Sequence, residues 1–504
     1  MKKRILIIPA LFFILNFAYS CGSSTSTQFQ LTLLITGVGT GQISSTATSV
    51  DCTSSEATCT HNINSGTALT FTATPDTGYL FLGWYGDTCS TGNTCTLTMN
   101  QAQTVRAAFV PLAAFTTLKL DGSDSATTSV LNIWTFKTDG SSVNPLTSIT
   151  NSNTDATSPV WSPDGETIAF ASDQALDGTD AENTNGTSNI WLMNGDGSNI
   201  QSLTEITADN AESESPQWSP DGSQILFLSN KALDGSNAAN TNNACNVWVM
   251  NSDGSGQQAL TSLTGSGLSD CSNAIWSPDG SQILYSSARA LDGSNAVNAN
   301  TTLNIWVMNA DGSNDTLLTN YEALAADNLL GEWSPNGTRI VYRSAGALDS
   351  TDTANSNETF NIWIMDSDGT DKEPLTSLTA NAADCFDPTF SPDGTKLAYF
   401  SPRKTDGTDA GTSPVNYNVW IINADGTGNA AVTSLTNEDA GFGALFPFWA
   451  LDGNSLFFSS SGALDGSDAQ NTNKATNLWQ ADGDGSNPTP ITSYEGAGGI
   501  LIFL

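Results

Sequence analysis

Trp218-Ser219-Pro220-Asp221-Gly222 decides the fold, because the chain writes it again and again. The same five residues stand at 161–165 and 276–280. Variants stand at 333–337 (Asn336 replacing Asp), 390–394 (Phe390 replacing Trp) and 449–453 (Trp449-Ala450-Leu451-Asp452-Gly453). The steps between the leading aromatics are 57, 58, 57, 57 and 59 residues. A second motif, Asn-(Ile/Val/Leu)-Trp, places Trp134, Trp191, Trp248, Trp306, Trp363, Trp420 and Trp479 at a matching period. So regular a period marks one supersecondary unit stacked on itself.

Reading outward from Trp218, one unit contains four strands. Gln217-Trp218-Ser219 is strand a, and Pro220-Asp221-Gly222 turns the chain. Gln224 to Ser229 is strand b, Asn246 to Asn251 is strand c, Asp253-Gly254 turns again, and Gln258 to Thr261 is strand d. Pro fixes φ at one turn position and Gly supplies the positive φ that tight turns need. Four antiparallel strands repeated end to end describe the blades of a β-propeller. Twelve of the thirteen Trp residues fall at two repeat positions in strand interiors, where they fill the wedge between neighbouring blades.

This motif set, running over about 390 residues, resembles the WD-like propeller repeat of the TolB family. The blade count is seven, with six as the alternative. Seven strand-c motifs stand against six copies of the strand-a motif, and the first repeat opens at Ala114-Phe115-Thr116, which aligns with strand b. The closing segment Gly499 to Leu504 is a lone strand able to fill the vacant place and remove both exposed edges.

Alternating strand direction sorts the loops. The tight a–b and c–d turns share one face, and the long b–c and d–a loops share the other. Long loops on a rigid frame usually carry binding, so the long-loop face is the expected functional face. Its b–c loops repeat Asp and Asn in step: Asp177, Asp180, Asn183 and Asn185; Asp234, Asn237, Asn240 and Asn242; Asp292, Asn295, Asn298 and Asn300; Asp349, Asp352, Asn355 and Asn357; and Asp465, Asp468, Asn471 and Asn473. Such oxygen ligands suit calcium, which makes Asp177, Asp180, Asp234, Asp292, Asp349, Asp352, Asp465 and Asp468 candidate ligands. The weightier competing reading is that these side chains satisfy backbone N–H groups in Asx-turns and shape each loop alike.

Residues 30–112 form a separate small domain of short alternating runs, among them Leu31 to Ile35, Leu69 to Ala73, Thr96 to Met99 and Val105 to Val110. The order Gly37-x-Gly39, Ala68 to Pro75, Gly78-Tyr79-x-Phe81-x-Gly83-Trp84 and Ala107-Ala108-Phe109 resembles the divergent internalin-type B-repeat of bacterial surface proteins. That resemblance implies a stalk or spacer module without catalytic residues. Phe81 and Trp84 are expected in its core.

The ends and the composition bound the setting. Residues 1–20 read as a signal peptide, with Lys2, Lys3 and Arg4 before an apolar run, and residues 21–29 as a tether. Ala18-Tyr19-Ser20-Cys21 resembles a bacterial lipoprotein signal, which implies acylation of Cys21 and a place in the bacterial cell envelope, periplasmic or at the surface. An ordinary secretory signal with a spare Cys is the alternative. The other seven Cys residues of an exported chain argue for disulfides. The expected bridges are Cys52–Cys59, Cys89–Cys95 and Cys245–Cys271, leaving Cys385 free. The net charge is −36, and residues 113–504 hold 11 basic and 47 acidic side chains. Such a field repels phosphate backbones, so nucleic acid is not expected as a partner.

One His exists, His61, outside the propeller, so a His-based triad or His-ligated metal centre within the propeller is excluded by composition. The expectation is therefore a monomeric, non-catalytic envelope lipoprotein, with no cofactor beyond calcium. Its propeller holds a protein, peptide or glycan on the long-loop face. The alternative is a propeller enzyme, a lyase or glycosidase using carboxylates and a divalent cation. Irregular acids gathered at the central channel favour that alternative, since acids that serve turns follow the repeat.

Overall fold

The first strands of successive repeats touch one another around a central channel, and each heads a four-stranded antiparallel sheet running outward in the order a-b-c-d. In the computed structural model these sheets form an all-β ring of seven blades after a small β domain. The structure describes residues 27–502 apart from 46–49, 86–93, 117–129, 180, 184–185, 210, 237, 241–242, 264–271, 295, 297, 299–300, 322–327, 349–357, 380–382, 406–415, 436–441, 464–474 and 494–499. Blade 1 takes its innermost strand from the far end of the chain: Ile500–Ile502 pairs antiparallel with Leu112–Thr116. Blades 6 and 7 are further tied by a short parallel pairing of Asn416 with Phe442 and Tyr417 with Gly443.

Blade 3 shows why the repeat folds this way. Its strands are Ser213–Trp218, Gln224–Ser229, Asn246–Asn251 and Gln258–Ala259. At the a–b turn Ser219 Oγ donates to Asp221 Oδ1 at 2.6 Å, Ser223 N donates to the same oxygen at 3.0 Å, and Gly222 takes φ 73°. Strand b stacks an aromatic on the strand-c Trp, with Phe227 and Trp248 centroids 6.2 Å apart and Lys231 Nζ 4.4 Å from the Trp248 ring. Trp248 also packs on Val160 and Ile190 of blade 2, so it fills the wedge between blades.

Strand d is two residues shorter than expected, and the reason is the Asn that opens strand c. Buried Asn246 accepts from Thr261 Oγ1 at 2.9 Å and from Leu263 N at 2.7 Å, while Thr261 Oγ1 accepts from Val247 N at 3.0 Å. The Thr is thereby turned out of the ladder and pinned to strand c. Asn189 with Thr204, Asn304 with Thr319, Asn361 with Thr376 and Asn418 with Thr433 repeat the clasp. It satisfies buried polar groups that are costly to leave unpaired.

The small domain packs two four-stranded sheets face to face. One contains Gln28–Thr36, Thr58–Asn64, Leu80–Tyr85 and Gln103–Val110; the other contains Gly41–Ser45, Cys52–Thr53, Ala68–Pro75 and Thr94–Thr98. Phe81 and Trp84 are core residues, 5.3 Å apart edge to face. The domain does not stand off as a spacer. It is seated on the short-turn face of the ring, with Leu80 packed among Trp134, Phe457 and Leu478, and Leu82 against the cluster of Trp161 and Phe170. Thr138 N donates to Gly78 O at 3.1 Å, and Lys137 Nζ lies 4.7 Å from the Tyr79 ring.

Candidate functional site

Strand a of blades 2 to 7 departs from regular pleating at one place. The register with strand b shifts between Thr157 and Val160, Glu214 and Gln217, Ser272 and Ala274, Leu329 and Glu332, Phe386 and Thr389, and Leu445 and Phe448. Within that bulge a side-chain-bearing residue adopts left-handed φ: Ser158, Ser215, Asn273, Asp387 and Phe446, with φ between 43° and 54°. Bulges re-aim side chains, and here they do so at the narrow centre of the ring.

The bulged strands wall a chamber of about 790 Å³. Trp161, Trp218, Trp333, Phe390 and Trp449 line it, followed by a ring of turn prolines, Pro163, Pro220, Pro335 and Pro392. Leu80 to Trp84 of the small domain close part of its mouth, where Gly83 takes φ 148° beside Leu451. The turn prolines and Leu451 place this opening on the short-turn face, opposite to the face expected from loop length. A rigid wall and an added domain make the concavity here, and neither is visible in loop lengths.

Two wall residues break the repeat. The residue before the strand-a aromatic is Val160, Gln217, Ile275, Thr389 or Phe448 in five blades, but Glu332 in blade 5. Its carboxylate accepts from Phe390 N at 3.1 Å and Thr389 Oγ1 at 3.4 Å, both on blade 6. Burial in this apolar wall pushes its pKa up to about 8, against the pull of those two donors. Asp387 occupies the left-handed bulge position of blade 6, and burial raises its pKa as well, opposed by the charge of Arg343. The Arg343 guanidinium itself lies 5.2 Å from the Phe360 ring centroid and 5.0 Å from that of Phe386. Aligning the repeats on their strand-a aromatic is the signal that finds both acids, because each stands where the other blades carry no charge.

The expected metal ligands are arranged differently. Asp177, Asp234 and Asp292 each accept the N–H two residues on, from Thr179 at 3.0 Å, Ser236 at 2.9 Å and Ser294 at 2.8 Å. Those bonds hold their carboxyls below the usual aspartate range. Asn183 is buried and donates to Thr187 O and Ile206 O, and Asn298 donates to Thr302 O. The described members thus spend polar atoms on their own loop, as an Asx-turn does, or on the d–a loop beside it. Asp180, Asp349, Asp352, Asp465 and Asp468 lie outside the described residues. Cys52 is bridged to Cys59 with Cα atoms 5.6 Å apart, which removes both thiols as metal ligands beside Glu56. Cys95 and Cys245 are also disulfide-bonded, and Cys385 is free and buried. Cys21, Cys89 and Cys271 lie outside the described residues.

With the ring, its chamber and the seated β domain established, the class is a seven-bladed propeller carrying an N-terminal B-repeat. Residues 36–112 match the family described as the divergent InlB B-repeat domain. Over 255 residues, 50% of this chain, the sequence is 26% identical to an uncharacterized peptidase, YuxL, of Bacillus subtilis, of which the matched part spans 30%. Among solved structures, a putative TolB from Agrobacterium tumefaciens is 18% identical with a TM-score of 0.36, covering 61% of this chain and 94% of that one. A prolyl endopeptidase structure is 9% identical with a TM-score of 0.48, covering 78% and 50%.

The expectation that the chain is not an enzyme is corrected. It rested on acids that follow the repeat, whereas Glu332 and Asp387 leave it and both line the chamber wall. The similarity to a protein named as a peptidase, over half of this chain, also stands against it. Among the described residues no helix is long and apolar enough to cross a membrane.

Proposed function

We propose that this is a lipid-anchored envelope protein whose propeller binds an extended, apolar peptide segment in the chamber between the channel wall and the B-repeat. The carrying observation is the chamber itself. Its volume falls within the range of about 300–1,000 Å³ usual for ligand sites, and Trp and Pro faces dominate its lining around a few convergent polar groups. Acylation at Cys21, after the basic and apolar leader, supplies the anchor. The seated B-repeat orients the chamber mouth.

A second reading, carboxyl chemistry on the bound segment, is favoured by one observation. Glu332 keeps its proton near neutral pH, as a general acid requires. Peptides selected from a synthetic hexapeptide library, titrated into methyl-labelled protein, test the binding reading. The methyl signals of Val160, Ile275 and Leu451 should move, and those of Leu176 and Leu233 in the b–c loops should stay. Movement confined to Leu176 and Leu233 would return function to the long-loop face. Selection of glycans alone would replace the peptide.

A further inference from the structure

The chamber wall is sharply unbalanced in charge. Of the residues that line it, Glu332 and Asp387 alone carry ionisable carboxyl groups, and no Lys, Arg or His lines it. The Arg343 guanidinium, whose charge acts on Asp387, stands on strand b of blade 5 outside the lining, beside the rings of Phe360 and Phe386. Around the two acids the wall presents π-faces, with Trp333 before them and Phe446 and Trp449 beyond. Neutral amides, Gln217 and Asn273, stand on blades 3 and 4. The rest of the chain reinforces the sign, with a net charge of −36. Carboxyl groups set among aromatic faces in a partly dehydrated cavity complement one chemistry above others, an organic cation, which they accept from by hydrogen bonds, whose charge draws them toward ionisation, and which the rings hold by cation–π attraction.

The two acids line neighbouring blades of the same chamber. Glu332 belongs to blade 5 and is tied by its hydrogen bonds to Thr389 and Phe390 of blade 6. Asp387 begins the same short stretch of blade 6, where its left-handed φ of 43° sets it in the bulge. The regular blades 2 and 3 carry Ser158 and Ser215 at that bulge position. The charged departures from the repeat therefore lie on two adjoining blades, 5 and 6.

We infer that this junction recognises a primary ammonium group carried on an apolar body, with Asp387 and Glu332 as its acceptors and the neighbouring aromatic faces holding the apolar part. The inference rests on the chamber as the binding site and adds the chemistry of what enters it. A peptide amino terminus, a lysine side chain and a small amine share that chemistry.

The test uses intrinsic Trp fluorescence of the whole protein titrated with three probes of like shape: 2-phenylethylammonium, 2-phenylethanol and 3-phenylpropionate. The ammonium probe should bind about tenfold more tightly than the alcohol, with the carboxylate weakest. Asp387→Asn, which suits a left-handed residue, should remove most of that preference, weakening the ammonium probe far more than the alcohol. Glu332→Gln gives an independent second variant should Asp387→Asn fold poorly. Phe-Ala amide against its N-acetyl form, and N-acetyl-lysine amide, then separate a peptide terminus from a lysine side chain. Equal binding of alcohol and ammonium would overturn the inference and leave the chamber reading standing. Binding by none of the three would overturn both.

Discussion

Carboxyl groups at the rim of the ring and those on the wall of its channel have the same chemistry and opposite circumstances. In blade 3, Asp234 and Asp253 sit at exposed turns, each bonded to the Ser two residues on, and those bonds pull their pKa values down. On the wall, Glu332 and Asp387 are half-buried, and that desolvation drives their pKa values up. The rim acids recur because every blade needs the same turns. The wall acids occur once each, and no turn requires them. Periodicity thus separates architecture from candidate function more sharply than charge does. Much of the −36 net charge reports how the turns are built.

The largest expected difference between the two regions is in how stability depends on pH. Glu332 ionises near pH 8 in the folded chain and in the usual glutamate range when unfolded. The folded state therefore holds a proton that the unfolded state has released. The stability this contributes is whole below the usual glutamate range, falls as pH rises from there, and is lost by about pH 8. Glu332→Gln should match the parent near pH 5 and melt higher by about 2–5 °C at pH 9. An equal difference at both pH values would place Glu332 in an environment like the rim.

A smaller effect is expected from the rim itself. Asp221→Ala removes the acceptor for Ser219 Oγ and Ser223 N and should cost about 1 kcal/mol by chemical denaturation. That cost should be independent of pH from 6 to 9. Parent and variant should each melt alike in chelator and in millimolar calcium, because the b–c loop acids serve Asx-turns. A calcium-dependent rise in the melt would restore Asp177, Asp234 and Asp292 as ligands by mass action.

Much of the ring was legible in the sequence, for identifiable reasons. Strands b and c of blade 3 end where Gln224 to Ser229 and Asn246 to Asn251 were read, because turn residues bracket them on the tight side. The closing strand was legible because a lone apolar run faced a vacancy. Strand a is longer than its motif suggests, since its bulge between Glu214 and Gln217 breaks the two-residue alternation that marks a strand in sequence. The Asn246–Thr261 clasp was written in the repeat spacing but needed the fold to show its purpose. The seat of the B-repeat on the short-turn face was not legible. It depends on Leu80 and Leu82 meeting residues of blades at opposite ends of the repeat sequence, Phe457 and Trp161 among them. That seat, together with Glu332 and Asp387, moved the candidate site from the face expected to the one opposite.

The most direct test of this division between rim and wall is a carbon-13 NMR titration of the side-chain carboxyls, with the Glu332 resonance assigned by its loss in Glu332→Gln. The account predicts that Glu332 titrates near pH 8, while Asp234 and Asp253 titrate below the usual aspartate range. A Glu332 carboxyl that titrates together with the exposed glutamates would contradict it.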